Sequence, residues 1–460
     1  MKNNISRRGF LKSGTLAGIG FWVAAGTSSQ VRASVNDQIA VAGIGIGGKG
    51  GGDIANAAQW GKVVAVCDVD RGRLAGAEKR YEGAKGYTDF RKLFDEMGKS
   101  IDAVTVSGPD HMHAAASLMA MRRGIHVYAQ KPLTRTIYEA RLMGQVAAEN
   151  KVCTQMGNQG SAGAGLRRAA AQLKAGVLGK VKEVHIWTDR PVKWWPQGVD
   201  RQKQSDFSKE DIEKGLANVD WDSWISTAPV REFLPGVYHD FKWRGWWDFG
   251  TGALGDICCH SLNMAFVGLN LRNPSSVIAK TTGHNHDSFP SKSEVTFQFP
   301  KLGDRDALKF VWYDGGWMPS DEMRGDHGIS LDANNGILVI GEKGYMRGNQ
   351  IVGTEPIEGV EFRRAPEVEG GEDPSHSLEW GMAIKNNTPE TCWSNFTTTS
   401  GPLAETVLAG NLAVWNADKP NEEGDLIEWD AVNMKITNNI NTPGIQDRIK
   451  PTYRKGYDLD

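Results

Sequence analysis

Three short stretches of this 460-residue chain carry residue types that do chemistry. The stretch "GIHVYAQKPLT" leads from an apolar run to Lys131, a cation able to steady a developing oxyanion. In "GALGDICCH", Asp256 and His260 stand four residues apart, so on a helix they share one face. A histidine titrates near neutrality and can take a proton from a hydroxyl. The third stretch, "VAGIGIGGKG", sets Gly43, Gly45 and Gly48 in G-x-G-x-x-G spacing, the pattern that lets a pyrophosphate approach the backbone.

These residues need elements to position them. "QIAVAGIG" and "VVAVCDVD" read as apolar strands on either side of the glycine turn, with a helix expected around Asp53–Gln59. Asp68 ends the second strand, about 20 residues on, where a ribose-binding acid belongs. A carboxylate there favours NAD over NADP, although Arg71 and Arg73 nearby leave NADP open. Strands in "IDAVTVSG", "GIHVYAQ" and "KVCTQMG" alternate with helical periodicity over Phe90–Met97, Ala114–Arg123 and Ile137–Asn150. That alternation predicts an α/β fold with a doubly wound parallel sheet over residues 38–158.

From residue 159 to 460 the pattern changes to an α+β domain. A helix over Arg167–Ala175 precedes the strand "VKEVHIWT", then strands at Ser276–Thr281, Glu294–Phe299, Leu308–Tyr313 and Gly336–Gly341. Strands without regular crossover helices predict a largely antiparallel open sheet, with one face free for oligomerisation. Ala253 to Val267 reads as the helix bearing Asp256 and His260, and the chain returns to helix from about Leu403, its end free to pack back on the first domain.

The leader "NNISRRGFLKSGTLAGIGFWVAAGTSSQVRA" has paired Arg7 and Arg8, a short apolar run and a small-residue cleavage site after Ala33. It is too short and Gly/Ala-rich to span a bilayer well, and "SRRGFLK" resembles the twin-arginine export consensus. Residues 1–33 are therefore expected to be a removable signal, leaving no membrane anchor. Losing its five basic residues takes the net charge from −2 to −7, which argues against nucleic-acid binding. Cys67, Cys153, Cys258, Cys259 and Cys392 form no C-x-x-C pair or zinc spacing, and His284 and His286 read as a loop pair; no metal is expected.

Pro109 and His113 of "GPDHMH", Lys131 and Pro132 of "AQKPLT", and the "GALGDICCH" motif together resemble the Gfo/Idh/MocA family of sugar and cyclitol oxidoreductases. The resemblance implies Lys131, Asp256 and His260 as catalytic residues, His260 taking the hydroxyl proton while hydride leaves the same carbon. It implies NAD or NADP contacts from Gly43, Gly45, Gly48, Asp68, Ser107, Pro109, His113, Gln130, Lys131 and Asn158, and a homo-oligomer, dimer or tetramer. Two positions depart from the family pattern. Gln130 replaces the usual Glu, removing a negative neighbour of Lys131, and Asn263 stands where many relatives carry an acid.

A tryptophan-rich block speaks to substrate. Trp194, Trp195, Trp243, Trp246 and Trp247, with Trp187, Tyr238 and His239, offer flat faces for a pyranose, while Arg190, Arg244, Asp248 and Asp256 offer hydroxyl partners. Core packing is the alternative for each tryptophan. The expectation is an exported NAD(P)-dependent oxidoreductase of a sugar or glycoside hydroxyl with a tightly held cofactor. Transient C3 oxidation leading to glycoside cleavage, and a non-catalytic sugar- or cofactor-binding protein, are the alternatives.

Overall fold

The central strands of the six-stranded first sheet are mostly apolar on both faces because helices cover both sides of it. The structure is a computed structural model and describes residues 38–330, 332–367 and 375–459. The expected signal over residues 1–33 lies outside them.

The first sheet runs β1 (Ile39–Ile44), β2 (Gly61–Cys67), β3 (Lys85–Tyr87), β4 (Ala103–Val106), β5 (His126–Ala129) and β6 (Thr154–Met156). Between these strands come α1 (Lys49–Ala57), α2 (Arg71–Arg80), α3 (Phe90–Met97), α4 (Asp110–Met121) and α5 (Ile137–Asn150). All strand pairs are parallel in the order β3-β2-β1-β4-β5-β6. The order reverses between β1 and β4, the switch point at which doubly wound sheets open a ligand crevice. Helix starts follow local sequence. Asp70 and Asp89 cap α2 and α3, and Thr136 with Glu139 forms a capping box at α5. The first helix begins earlier than periodicity suggested, at Lys49, because the glycine-rich run is itself its first turn.

The second half supplies α6 (Ala164–Lys174), β7 (Val181–Thr188), α7 (Lys209–Asn218), α8 (Trp221–Ile225), α9 (Gly252–Ser261) and α10 (Asn263–Leu269). There follow β8 (Ser276–Thr281), β9 (Ser293–Phe299), β10 (Leu308–Tyr313), α11 (Asp321–Asp326), β11 (Asn335–Gly341), β12 (Tyr345–Arg347) and β13 (Gln350–Val352). The chain ends with α12 (His376–Asn386), α13 (Gly401–Asn416), β14 (Ile427–Asp430), β15 (Lys435–Ile436) and α14 (Ile445–Ile449). The nine-stranded sheet has the order β13-β12-β11-β7-β10-β9-β8-β14-β15, antiparallel except where β7 meets β10. The expected helix through Ala253–Val267 is interrupted at Leu262, so α9 alone carries Asp256 and His260.

Two late segments cross to the first sheet. Helix α12 packs Trp380, Ala383 and Ile384 against Val41, Ile54 and Tyr128. Its Glu379 pairs bidentately with the buried Arg167 of α6 at 2.9 and 3.0 Å. The chain end returns as well, with Tyr457 near Phe90 and the Leu459 carbonyl accepting from Arg122. Among the described residues, no helix is long and apolar enough to cross a membrane.

Helix α13 is buried along most of its length and packs on α5, α9 and β8. At Gly410 an added Cβ would lie 2.4 Å from the Phe297 ring, which is itself buried and stacked on Phe310 at 4.9 Å. Alanine ordinarily gains up to about 1 kcal/mol over glycine inside a helix. Here overpacking outweighs it, so Gly410→Ala should destabilise by roughly 1–3 kcal/mol, read as a lower urea midpoint at unchanged m-value.

Candidate active site

The glycine loop forms one wall of a cleft. At Gly45 φ is +71°, and a Cβ would lie 2.6 Å from the Gly108 nitrogen, so only glycine lets the turn after β1 touch the turn after β4. Gly43 serves packing, its α-carbon facing Ile46 and Ile54. Gly48, at φ +51°, faces open space, with nothing within 4 Å of where a Cβ would stand. Past β2, the buried Asp68 accepts from the Ile46 N–H and the Asp70 N–H, each at 2.9 Å. Burial raises its pKa, against those two hydrogen bonds.

The resulting cleft is open to solvent. Gly45, Gly48, Asp68, Ser107 and Pro109 line it from the first sheet, and His239, Trp243 and Arg244 from the second half. A glycine cradle open to a phosphate, helix α1 starting there, and a carboxylate at the ribose position suit NAD. Glycine to carboxylate, these residues would hold its pyrophosphate and adenosine ribose.

Three expected cofactor residues stand behind that wall. His113 is buried, its ring nitrogens 2.8 and 3.0 Å from the Gly108 and Pro132 carbonyls, so it joins the β4 and β5 loops. Asn158 is buried too, its side-chain oxygen accepting from Ser394 Oγ at 2.6 Å. Gln130 donates to Asp53 Oδ2 at 2.8 Å. Sequence reading missed Asp53, a buried carboxylate that also accepts from Ser107 Oγ at 2.9 Å and Lys49 Nζ at 2.7 Å. It accounts for Gln130: a glutamate there would set carboxylate against carboxylate, whereas the amide donates.

The negative neighbour that Gln130 does not provide comes from α9. Lys131 Nζ lies 2.9 Å from Asp256 Oδ1 and donates to the Asp256 carbonyl at 3.0 Å. Arg244 Nε donates to the same Oδ1 at 3.1 Å. Burial by itself would raise the Asp256 pKa, but Lys131 and Arg244 outweigh it and hold the carboxyl at about 2. His260, one turn on, is drawn down to about 4 by burial and then by Lys131, with Asp256 opposing. At neutral pH the imidazole is uncharged and able to accept a proton.

A second carboxyl beside this cluster also went unread. Asp110, the "D" of "GPDHMH", is buried at the start of α4 and accepts from Thr251 Oγ1 at 2.9 Å. Burial pushes its pKa up to about 7 against the pull of Arg244. Its signal was an acid in the loop at the C-terminal end of a central strand, where ligands gather.

Most of the aromatic block is corrected to core. Tyr238 and Trp246 are buried with Trp224 and Phe249 in a cluster of their own. Trp247 stacks on Phe289 at 3.6 Å. Trp187 is buried beside Val311, Tyr313 and Leu338 in the large sheet, and Arg190 covers the half-exposed Trp194 at 3.5 Å. Tyr238, Trp246, Trp247, Trp187, Trp194 and Arg190 do not line the cleft. The reason is that an insertion of this length between β7 and α9 must bury area of its own to hold a shape. Trp243, Arg244 and His239 do reach the cleft. His284 and His286 engage the Val414 and Trp415 carbonyls. All five cysteines are buried and free.

The pairing of Gln130 with Asp53 is testable. Gln130→Glu should destabilise the fold by roughly 1–3 kcal/mol at pH 7. The introduced carboxyl would have a folded-state pKa above its unfolded value of about 4.3, so the penalty is full above the raised value and fades as pH falls towards about 4.3. Urea midpoints of both proteins across pH 4–8 measure it.

Comparison with known proteins follows the same outline. Residues 38–158 match the "Oxidoreductase family, NAD-binding Rossmann fold" model of Gfo/Idh/MocA, and residues 168–303 match its "C-terminal alpha/beta domain". A "Glycosyl hydrolase family 109 protein" of Solibacter usitatus is 32% identical over 170 residues, 33% of this chain and 39% of that protein. An "Inositol 2-dehydrogenase 2" of Saccharopolyspora erythraea is 35% identical over 97 residues, 20% of this chain and 28% of that protein. The chain thus spans well under half the length of these curated relatives. The inositol dehydrogenase homolog of Azotobacter vinelandii, solved with NAD+, shares the fold at a TM-score of 0.54 and 18% identity, over 86% of this chain and 98% of that one. With two consecutive domain models of one family matched over more than half of its length, and with the Rossmann sheet and open mixed sheet they describe, the chain belongs to the Gfo/Idh/MocA oxidoreductase family.

Proposed function

We propose that the protein is an exported NAD-dependent dehydrogenase that oxidises a secondary hydroxyl of a sugar or polyol and keeps its cofactor tightly bound. The observation that carries the reading is the Lys131–Asp256–Arg244 cluster with the uncharged His260 one helical turn away. NAD, when bound, supplies a nicotinamide that accepts the hydride. His260 takes the hydroxyl proton, since its imidazole is uncharged at neutral pH. The Lys131 ammonium steadies the negative charge growing on the substrate oxygen, and Asp256 keeps that ammonium in place. Arg244 anchors Asp256 from the cleft side. The sugar or polyol class is supported by the relatives' names, and export by the twin-arginine pattern of the leader. NAD is not expected free outside the cytoplasm, which supports a cofactor that stays on the protein.

A second reading is favoured by the likeness to the glycosyl hydrolase family 109 protein: the same hydroxyl oxidation made transient, so that the net outcome is glycoside cleavage. Near-ultraviolet absorbance of the purified protein, with a panel of sugars, polyols and glycosides and no added cofactor, tests the main reading. A reduced-nicotinamide band should rise with one substrate class, and Lys131→Ala should abolish it while nicotinamide is still released on denaturation. Unchanged turnover in Lys131→Ala would remove the proposed site. Product analysis separates oxidation from cleavage.

The acid limb follows from His260. With its pKa at about 4, kcat/KM should stay level from neutrality to about pH 5 and then fall, rather than fall near the 6.5 of a free imidazole. A break near 6.5 that persists when Asp110 is replaced by Asn would show that His260 is not the base.

A further inference from the structure

Among the described residues, three Lys and Arg side chains line the dinucleotide cleft, and each is answered by a carboxylate. Lys49 Nζ lies 2.7 Å from Asp53 Oδ1, Arg244 Nε 3.1 Å from Asp256 Oδ1, and Arg73 Nη2 donates to Asp240 Oδ2. The first two pairings belong to the site already described. The third crosses from the loop after β2 to the insertion between β7 and α9, 167 positions on.

Arg73 stands where a cation bears on which dinucleotide is bound. It lies in the first turn of α2, just past Asp68. Its side chain reaches across the glycine loop, since a Cβ added to Gly47 would stand 2.5 Å from its Cδ and 2.6 Å from its Nη1. An arginine beside the ribose acid is the usual partner of the 2′-phosphate that distinguishes NADP from NAD. The pyrophosphate common to both asks only for backbone N–H groups and a helix start, which the glycine loop and α1 supply. A 2′-phosphate asks for a side-chain cation that is not already engaged. Arg71, the other arginine of this turn, does not line the cleft.

Asp240 is kept opposite Arg73 because the insertion is fastened to the same loop. Val219 and Asp70 form an antiparallel bridge, the Asp220 N–H donates to the Val69 carbonyl at 2.9 Å, and Asn218 Oδ1 accepts from the Gly72 N–H at 3.3 Å. Val69 packs on the aromatic cluster of Trp224, Tyr238 and Phe249, and His239 Nε2 lies 3.4 Å from Asp70 Oδ2. The pair itself, with Arg73 31% and Asp240 56% exposed, adds little to stability. Its consequence is local charge: three carboxyl groups, from Asp68, Asp70 and Asp240, gather about one guanidinium.

We infer that Asp240 is a specificity residue of the cofactor site: by engaging Arg73 it denies a 2′-phosphate its cation and adds a repelling charge, so the cleft takes NAD and rejects NADP. Discrimination of this kind needs an element that works against the wrong ligand as well as one that favours the right one. Asp68 is placed to accept from the ribose hydroxyls of NAD, and Asp240 removes the alternative that Arg73 alone would offer. The inference rests on the reading of this cleft as the dinucleotide site.

The test is independent of turnover. The full chain is dialysed to equilibrium against equal concentrations of NAD and NADP at fixed ionic strength, and the bound nucleotides are quantified after denaturation. NAD should predominate on the wild type. Asp240→Asn should raise the bound NADP-to-NAD ratio by about tenfold or more, because one negative charge is lost and a guanidinium is freed for charge-assisted bonds to phosphate. Combining it with Arg73→Ala should remove that gain. An unchanged ratio in Asp240→Asn, or a gain that survives the loss of Arg73, overturns the inference. Should Asp240→Asn fail to fold, Arg73→Ala decides. With its guanidinium already engaged, its loss should leave the ratio within about twofold, whereas a fall of about tenfold overturns the inference. A wild type that takes up neither dinucleotide overturns the cofactor reading itself, and the inference with it.

Discussion

Asp256, 4% exposed, sits between Lys131 and Arg244 within 3.1 Å of each, and its burial sets what the rest of the structure must do. A lone carboxylate there would cost several kcal/mol; Lys131 balances its charge, and Arg244 on the same oxygen takes the trio to a net +1. The three must therefore arrive together, from the end of β5, from the insertion before α9 and from α9 itself. The doubly wound sheet fixes the first, because its switch point exposes the strand ends. The large sheet and α13 fix the second and third by supporting α9 from behind.

Around this cluster the molecule separates charge that does chemistry from charge that holds backbone. Asp53, Glu139, Glu379 and Asp68 are buried carboxylates whose oxygens are occupied by named donors: Gln130 and Ser107, the Thr136 N–H, Arg167, and the Ile46 N–H. Asp53, Glu379 and Asp68 each tie two segments distant in the chain, and Glu139 does so through the Tyr453 hydroxyl at 3.2 Å. Asp110 differs, with one oxygen on Thr251, the other unpartnered among the described residues, and a pKa near neutrality. His260 carries no charge at neutral pH because burial and Lys131 oppose its protonation. The same low dielectric that makes an unpaired carboxylate costly keeps the base ready.

The resemblance read from "GPDHMH", "AQKPLT" and "GALGDICCH" pointed to Lys131, Asp256 and His260, and the structure brings these together. It could not explain Gln130, whose reason is Asp53, some 77 positions away in the chain. Nor could it sort the tryptophans. Composition shows sixteen of them, but an aromatic ring looks the same in sequence whether it stacks on a sugar or on Phe289.

The sequence by itself determined whatever depends on neighbours in the chain: the alternation that makes parallel βαβ units, the glycine turn after β1, the caps of α2, α3 and α5, and the i, i+4 pairing on α9. Tertiary structure decided what depends on residues hundreds of positions apart. Only it shows that α12 covers a face of the first sheet, that Arg448 returns to stand beside Arg135, and that Arg244 rather than residue 130 completes the charge cluster around Lys131. The physical reason is that backbone conformation and amphipathic period are local properties. Burial of a charge is not: its cost and its partner are set by whichever segments the packed core brings to the same point in space.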